Sequence, residues 1–169
     1  IFGDTGSSGN TFVGWQWLAT NSTATNEVGS ITSTVSANTT AGFSIVEYLS
    51  NNTAGSTVGH GLSQAPDFII TKNQGDSRNW GAYHSAVGAR KAFLFNTTGA
   101  ASTSSIYYNN THPTSSVFSL GSTAGETNYP ASYNYIAYCF HEVEGFSKFG
   151  SYTGNGSADG PFVWCGFKP

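Results

Sequence analysis

Residues 132–169 read SYNYIAYCFHEVEGFSKFGSYTGNGSADGPFVWCGFKP, and the fold is read outward from this stretch. It repeats, in order, phrases scattered over the first third of the chain. The run NYIAYCF at 134–140 echoes TFVGWQW at 11–17, and GFS at 145–147 echoes GFS at 42–44. VWCGF at 163–167 echoes VGHGL at 58–62, and Pro169 echoes Pro66. Gly42 and Gly145 lie 103 positions apart, as do Pro66 and Pro169. A divergent internal repeat is therefore expected, with 133–169 matching 11–66. After Pro66 comes the strand-like DFIITK at 67–72, but after Pro169 the chain stops. The reading is one full unit plus the opening of another. No methionine occurs, so a processed chain or a piece of a longer one is expected.

Composition narrows the class. The chain has 169 residues, enough for one domain with a sizeable core. Charged residues make up only 9%, against about 25% in ordinary soluble domains. Aromatics make up 15%, which argues for a folded chain. Ser, Thr, Asn and Gly fill the gap left by charge, and they favour turns and strand faces over helix interiors. The net charge is −3 and the six Lys and Arg are scattered, so no basic stripe exists to neutralise phosphates and no nucleic-acid partner is expected. No run is long enough to cross a bilayer as a helix, and residue 1 does not open a secretory signal, so no membrane insertion is expected.

Strand-like runs bounded by turn residues recur along the whole chain. They fall at 11–19, 28–35, 41–49, 57–62, 67–72, 80–84, 92–95, 105–109, 116–120, 133–143, 146–152 and 162–167. Residues 1–10 read as an arm or loop. Residues 67–72, with Phe68, Ile69 and Ile70 in a row, form the clearest buried strand. Gly59 and Gly61 around His60 predict a bulge or a close backbone approach. No helical period is sustained. About a dozen short strands imply an all-β, antiparallel two-sheet sandwich or barrel, formed by 11–169 as a single unit. Few charges on the strands leave the edges weakly protected against pairing with a neighbour.

Candidate chemistry is sparse. Glu142 and Glu144 would share one face of a strand, as the acid and nucleophile of some glycosidases do, but they stand where a strand ends and read as a solvated terminus. Among His60, His84, His112 and His141, His60 between two glycines is the best candidate for a specific role. Trp80, Tyr83 and His84 form an aromatic and polar cluster, and Tyr107 and Tyr108 add rings near a turn; such rings can stack on sugars or belong to a core rim. Cys139 and Cys165 read first as two buried free thiols and second as a disulfide. No nucleophile elbow, phosphate loop, dinucleotide fingerprint or calcium loop is present, so no catalytic residue, metal or cofactor is assigned.

Several phrases resemble a known family. TVGHGL at 57–62, APDFIITK at 65–72, Trp80 with Tyr83 and His84, LFNTT at 94–98, YIAYCF at 135–140 and EGFSKFGSYTGNG at 144–156 are similar to a repeat domain of unknown function in structural proteins of tailed bacteriophages, many of them marine. The resemblance implies a virion-surface protein, often in tandem copies in fibre or tail components, with a concanavalin-like, jelly-roll sandwich. It supplies no catalytic residues. Two functions follow as expectations. The first is a structural subunit of a fibre, tail or appendage that packs on copies of itself or on neighbouring virion proteins. The second is a module that binds host cell-surface glycans through Trp80, Tyr83, His84, His60, Tyr107 and Tyr108.

Overall fold

The computed structural model describes residues 8, 9, 11, 12 and 14–168. The arm read at 1–10 lies mostly outside the described residues, as do Val13 and Pro169. Ten strands follow in chain order: β1 Ala24–Asn26, β2 Ser33–Asn38, β3 Phe43–Leu49, β4 Thr57–Gly59, β5 Phe68–Asn73, β6 Gly81–His84, β7 Lys91–Leu94, β8 Ser102–Thr103, β9 Val117–Ser119 and β10 Asn134–Phe140. The all-β expectation holds. Eight strands make one antiparallel sheet in the order β1-β2-β3-β10-β5-β6-β7-β8, and β4 pairs β9 in a second, two-stranded sheet. The layer opposite the large sheet is thus two strands with loops, not a second broad sheet.

The centre of the large sheet is β10, which inserts between β3 and β5. Tyr135, Ala137 and Cys139 face inward from it and are fully buried. Their cross-strand neighbours Tyr48, Val46 and Ser44 on β3, and Asn73, Thr71 and Ile69 on β5, are buried with them. Val58 of β4 and Phe118 of β9 close this core from the other side, joined by Leu120 and Tyr108. Alternation along the strands places every second residue here, as the period of two requires.

Several buried polar groups are tied off inside the fold, whereas Ser44 Oγ, Thr127 Oγ1 and His141 Nε2 are buried without a hydrogen-bond partner among the described residues. The Tyr48 hydroxyl donates to the Thr127 carbonyl at 2.7 Å. Asn73 Nδ2 donates to the Tyr135 hydroxyl at 2.9 Å, whose proton points to the carbonyls of Gly125 and Tyr129. Gly59 passes so close to the Asn26 side chain that a Cβ would overlap it, and Gly61 has φ +72°, so the close approach read from these glycines is real.

Several expected strands are absent. The described residues of 11–19 form none, nor do 146–152 or 162–167, and 105–109 is a turn. The strands β1 and β8 appear instead in segments that lie between the expected strands. The physical reason is pairing. Both sides of β10 are taken by β3 and β5, β4 lies between β9 and a bridge at Ile31, and the edges left open, at β1, β8 and β9, are only three, two and three residues long. The described residues of the echoes at 11–17 and 163–167 repeat an apolar pattern but join no ladder.

Candidate functional site

The side of the large sheet that faces away from the core is also apolar. Register puts Phe43, Phe140, Phe68 and His84 in one row across β3, β10, β5 and β6. The next row holds Ile45, Tyr138, Ile70, Ala82 and Phe93. An antiparallel sheet with one face in water normally alternates apolar and polar residues; apolar residues at both parities belong to strands covered on both sides.

Two segments outside the sheet cover part of this face. The Leu18 carbonyl accepts from Asn38 Nδ2 at 3.2 Å, and the Thr20 amide donates to Ser36 Oγ at 3.2 Å. These bonds hold the chain along β2, so that Trp17 packs edge-on against Phe140 with centroids 5.5 Å apart. On the other flank, Glu142 Oε2 accepts from Lys148 Nζ at 2.9 Å and Oε1 accepts from the Phe149 amide at 3.2 Å. The turn closed by these contacts lays Phe149 over Phe68 and Phe140, each 6.1 Å away. Lys148 beside it holds the Glu142 carboxyl below its ordinary range.

A groove of about 570 Å³ remains between these covers. Trp15, Trp17, Trp80 and Phe95 rim it, and Ile70 and Tyr138 lie on its floor. Trp15 is 76% exposed, Phe95 55% and Trp17 54%. The Phe95 amide donates to the Trp80 carbonyl at 2.8 Å, which joins two of the rim residues through the backbone.

The expected site residues separate into three places. Trp80 lines the groove, and His84 sits at the end of its aromatic row, 5.7 Å from Phe68, with Nδ1 accepting from the Ala86 amide. Tyr83 points the other way and is buried; its hydroxyl meets His112 Nδ1 at 3.0 Å, and burial pushes its pKa up to about 12. Tyr108 is fully buried with its hydroxyl 3.4 Å from Thr71 Oγ1, and Tyr107 packs half-buried against the same core. Burial raises both phenols. His60 is fully buried: Nε2 meets the Thr114 carbonyl and Nδ1 accepts from the Leu62 amide, each at 3.1 Å. It is an internal tie, and burial lowers its pKa.

Cys139 and Cys165 are both free. The disulfide alternative fails because Cys139 faces the core between Ser44 and Ile69, whereas Cys165 lies half-buried in the strandless segment after β10. Among the described residues no group of His, Cys, Asp and Glu could hold a metal, and no helix is long and apolar enough to cross a membrane.

Fold and face together define an all-β module with a solvent-open aromatic groove on the outside of its main sheet. The chain belongs to the family described as a domain of unknown function (DUF7483), matched over residues 2–169. No curated protein and no solved structure matches it.

Proposed function

We propose that this chain is a non-catalytic structural module of a tailed-phage particle. It is a concanavalin-like unit of a surface fibre, tail or appendage that packs, through the outer face of its eight-stranded sheet, on a second copy of itself. The phage setting rests on the sequence resemblance. The packing rests on one observation: rows of apolar side chains on a sheet face that the rest of the chain covers only in part.

The area suits such a contact. At roughly 150–250 Å² per aromatic side chain, the exposed parts of Trp15, Trp17 and Phe95 and the groove floor amount to on the order of 500 Å² of apolar surface. A standard interface buries about 800 Å² per partner, the remainder being polar rim. The rim supplies charge of both signs. Glu47 and Lys72 flank Ile136 in the row beyond the rings, so a twofold-related copy can set each Glu47 against the other's Lys72. Edge pairing is disfavoured instead, because the edge strands β1 and β8 have only three and two residues.

The glycan reading through Trp80, Tyr83, His84, His60, Tyr107 and Tyr108 is the weaker one. Three of these six are buried in the core, and the open groove is lined by rings and aliphatic chains with few groups to bond hydroxyls.

Light scattering on a sizing column tests the packing. The expected mass is a multiple of 17.8 kDa, falling to a single chain in Phe95→Asp with an unchanged circular dichroism spectrum. A monomeric parent protein at about 100 µM, well above a micromolar dissociation constant, overturns it.

A further inference from the structure

A second concavity, of about 440 Å³, lies between the turn after β10 and residues 164–167. Its chemistry is unlike that of the groove. Trp164, 74% exposed, opens onto it, together with Gln64, Glu142, Glu144, Lys148 and Phe167. An open indole is thus set beside two carboxylates, an amide and an ammonium group.

One carboxylate is fixed in place. Lys148 and the Phe149 amide each donate to one oxygen of Glu142, and the Glu142 amide donates to Asp67 Oδ2 at 2.9 Å. A carboxylate offers about four lone-pair positions, so both oxygens can still accept from a ligand. Glu144 is exposed and makes no side-chain hydrogen bond among the described residues, and Gln64, also exposed, offers both a donor and an acceptor.

We infer that this concavity binds a neutral saccharide. A pyranose presents an apolar C–H face and a ring of hydroxyls at its edge. The Trp164 indole matches the face, while Glu142, Glu144 and Gln64 match the hydroxyls. The volume falls within the range of roughly 300–1,000 Å³ usual for small-ligand sites. Two carboxylates against one ammonium leave the rim negative, so uronic and sialic acids are disfavoured by like charge. The assignment is independent of packing through the sheet face.

The chain has four tryptophans, and their indole N–H signals separate the two places. Trp164 reports on this concavity, and Trp15, Trp17 and Trp80 report on the groove. The full chain, labelled with nitrogen-15, is titrated with the methyl glycosides of galactose, glucose and N-acetylglucosamine, and with methyl glucuronide as the acidic control. At least one neutral glycoside is expected to move the Trp164 signal alone, with a dissociation constant on the order of 1 mM, and the glucuronide to leave it in place. Saturation transfer to that glycoside should weaken about tenfold in Trp164→Ala, weaken in Glu144→Gln and recover in part in Trp164→Phe. Both positions are exposed, so the variants are expected to fold. An unmoved Trp164 signal with every neutral glycoside, shifts confined to the groove tryptophans, or equal binding of the glucuronide overturns the assignment.

Discussion

Phe43 and Phe140 face each other across β3 and β10 with ring centroids 4.8 Å apart, on the side of the sheet away from the core. Phe140 also touches Trp17, Phe68 and Phe149, and so joins the sheet to both of its covering segments. Replacing it by Ala removes the one ring among the described residues that touches all four neighbours. A fully buried Phe→Ala change costs about 3–5 kcal/mol, and Phe140 is half-buried, so a loss of about 2 kcal/mol is expected. Ile136→Ala, on the same face of the same strand but clear of the rings, should cost less. Urea unfolding of the two variants checks the order.

Acid should weaken the fold through His60. The Leu62 amide occupies Nδ1, so the ring is neutral with its proton on Nε2, facing the Thr114 carbonyl. A second proton would have to sit on Nδ1 against a donor. Burial, with nearby His141 adding to it, puts the folded pKa below the ordinary value of about 6.5. Between the two values the unfolded chain holds more protons than the folded one, so stability rises with pH. The contribution is complete above about pH 6.5 and is lost progressively as pH falls toward the folded value. Melting curves between about pH 5 and 8 should show this slope, and His60→Gln should flatten it.

Strand existence was largely legible, whereas strand placement was not. The segments FSIVEYL, FIITKN and NYIAYCF declare themselves by β-branched and aromatic content, and they are β3, β5 and β10. Their apolar residues at both parities build the outer row of Phe43, Phe140 and Phe68, which strand-by-strand reading did not bring out because the row exists only once the register is set. Local pattern does not encode that β10 enters between β3 and β5. That insertion takes both sides of the most apolar strand, whereas alternation along 80–84 by itself puts Tyr83 on the core face and Trp80, Ala82 and His84 on the outer one. Tyr108 and His60 resemble ligand-binding residues in sequence because their partners, Thr71 and the Thr114 carbonyl, are distant in the chain.

The buried amide of Asn128 should be a point of fragility. Its Oδ1 accepts from the amides of Asn51 and Asn52, and its Nδ2 donates to the Gly121 carbonyl at 2.8 Å and the Thr53 carbonyl at 3.2 Å. One side chain thus satisfies backbone groups of the 51–53 turn and of the segment after β9. Asn128→Ala leaves those groups unpaired beside the core, at an expected cost of about 3 kcal/mol. Asn128→Asp keeps the acceptor but loses the donor, so it should not rescue the fold. Hydrogen exchange at Asn51 and Asn52 would report the loosened turn directly.

The two thiols should react at very different rates. Burial pushes the Cys139 pKa up to about 12, and its neighbours in the sheet exclude solvent. At pH 8 it is therefore protonated and shielded, and a thiol without thiolate character does not attack a disulfide reagent. Cys165 lies half-buried, beside Trp164 at the second concavity. In the native protein a colorimetric thiol reagent should count one group quickly, with the second appearing only in denaturant. Cys165→Ser should abolish the fast phase and leave stability unchanged, whereas Cys139→Ser should lower stability by placing a hydroxyl in the core beside Ile69, with Ser44 as its polar cross-strand neighbour. Two fast thiols in the native state would mean that β10 opens locally between β3 and β5 on the timescale of the reaction.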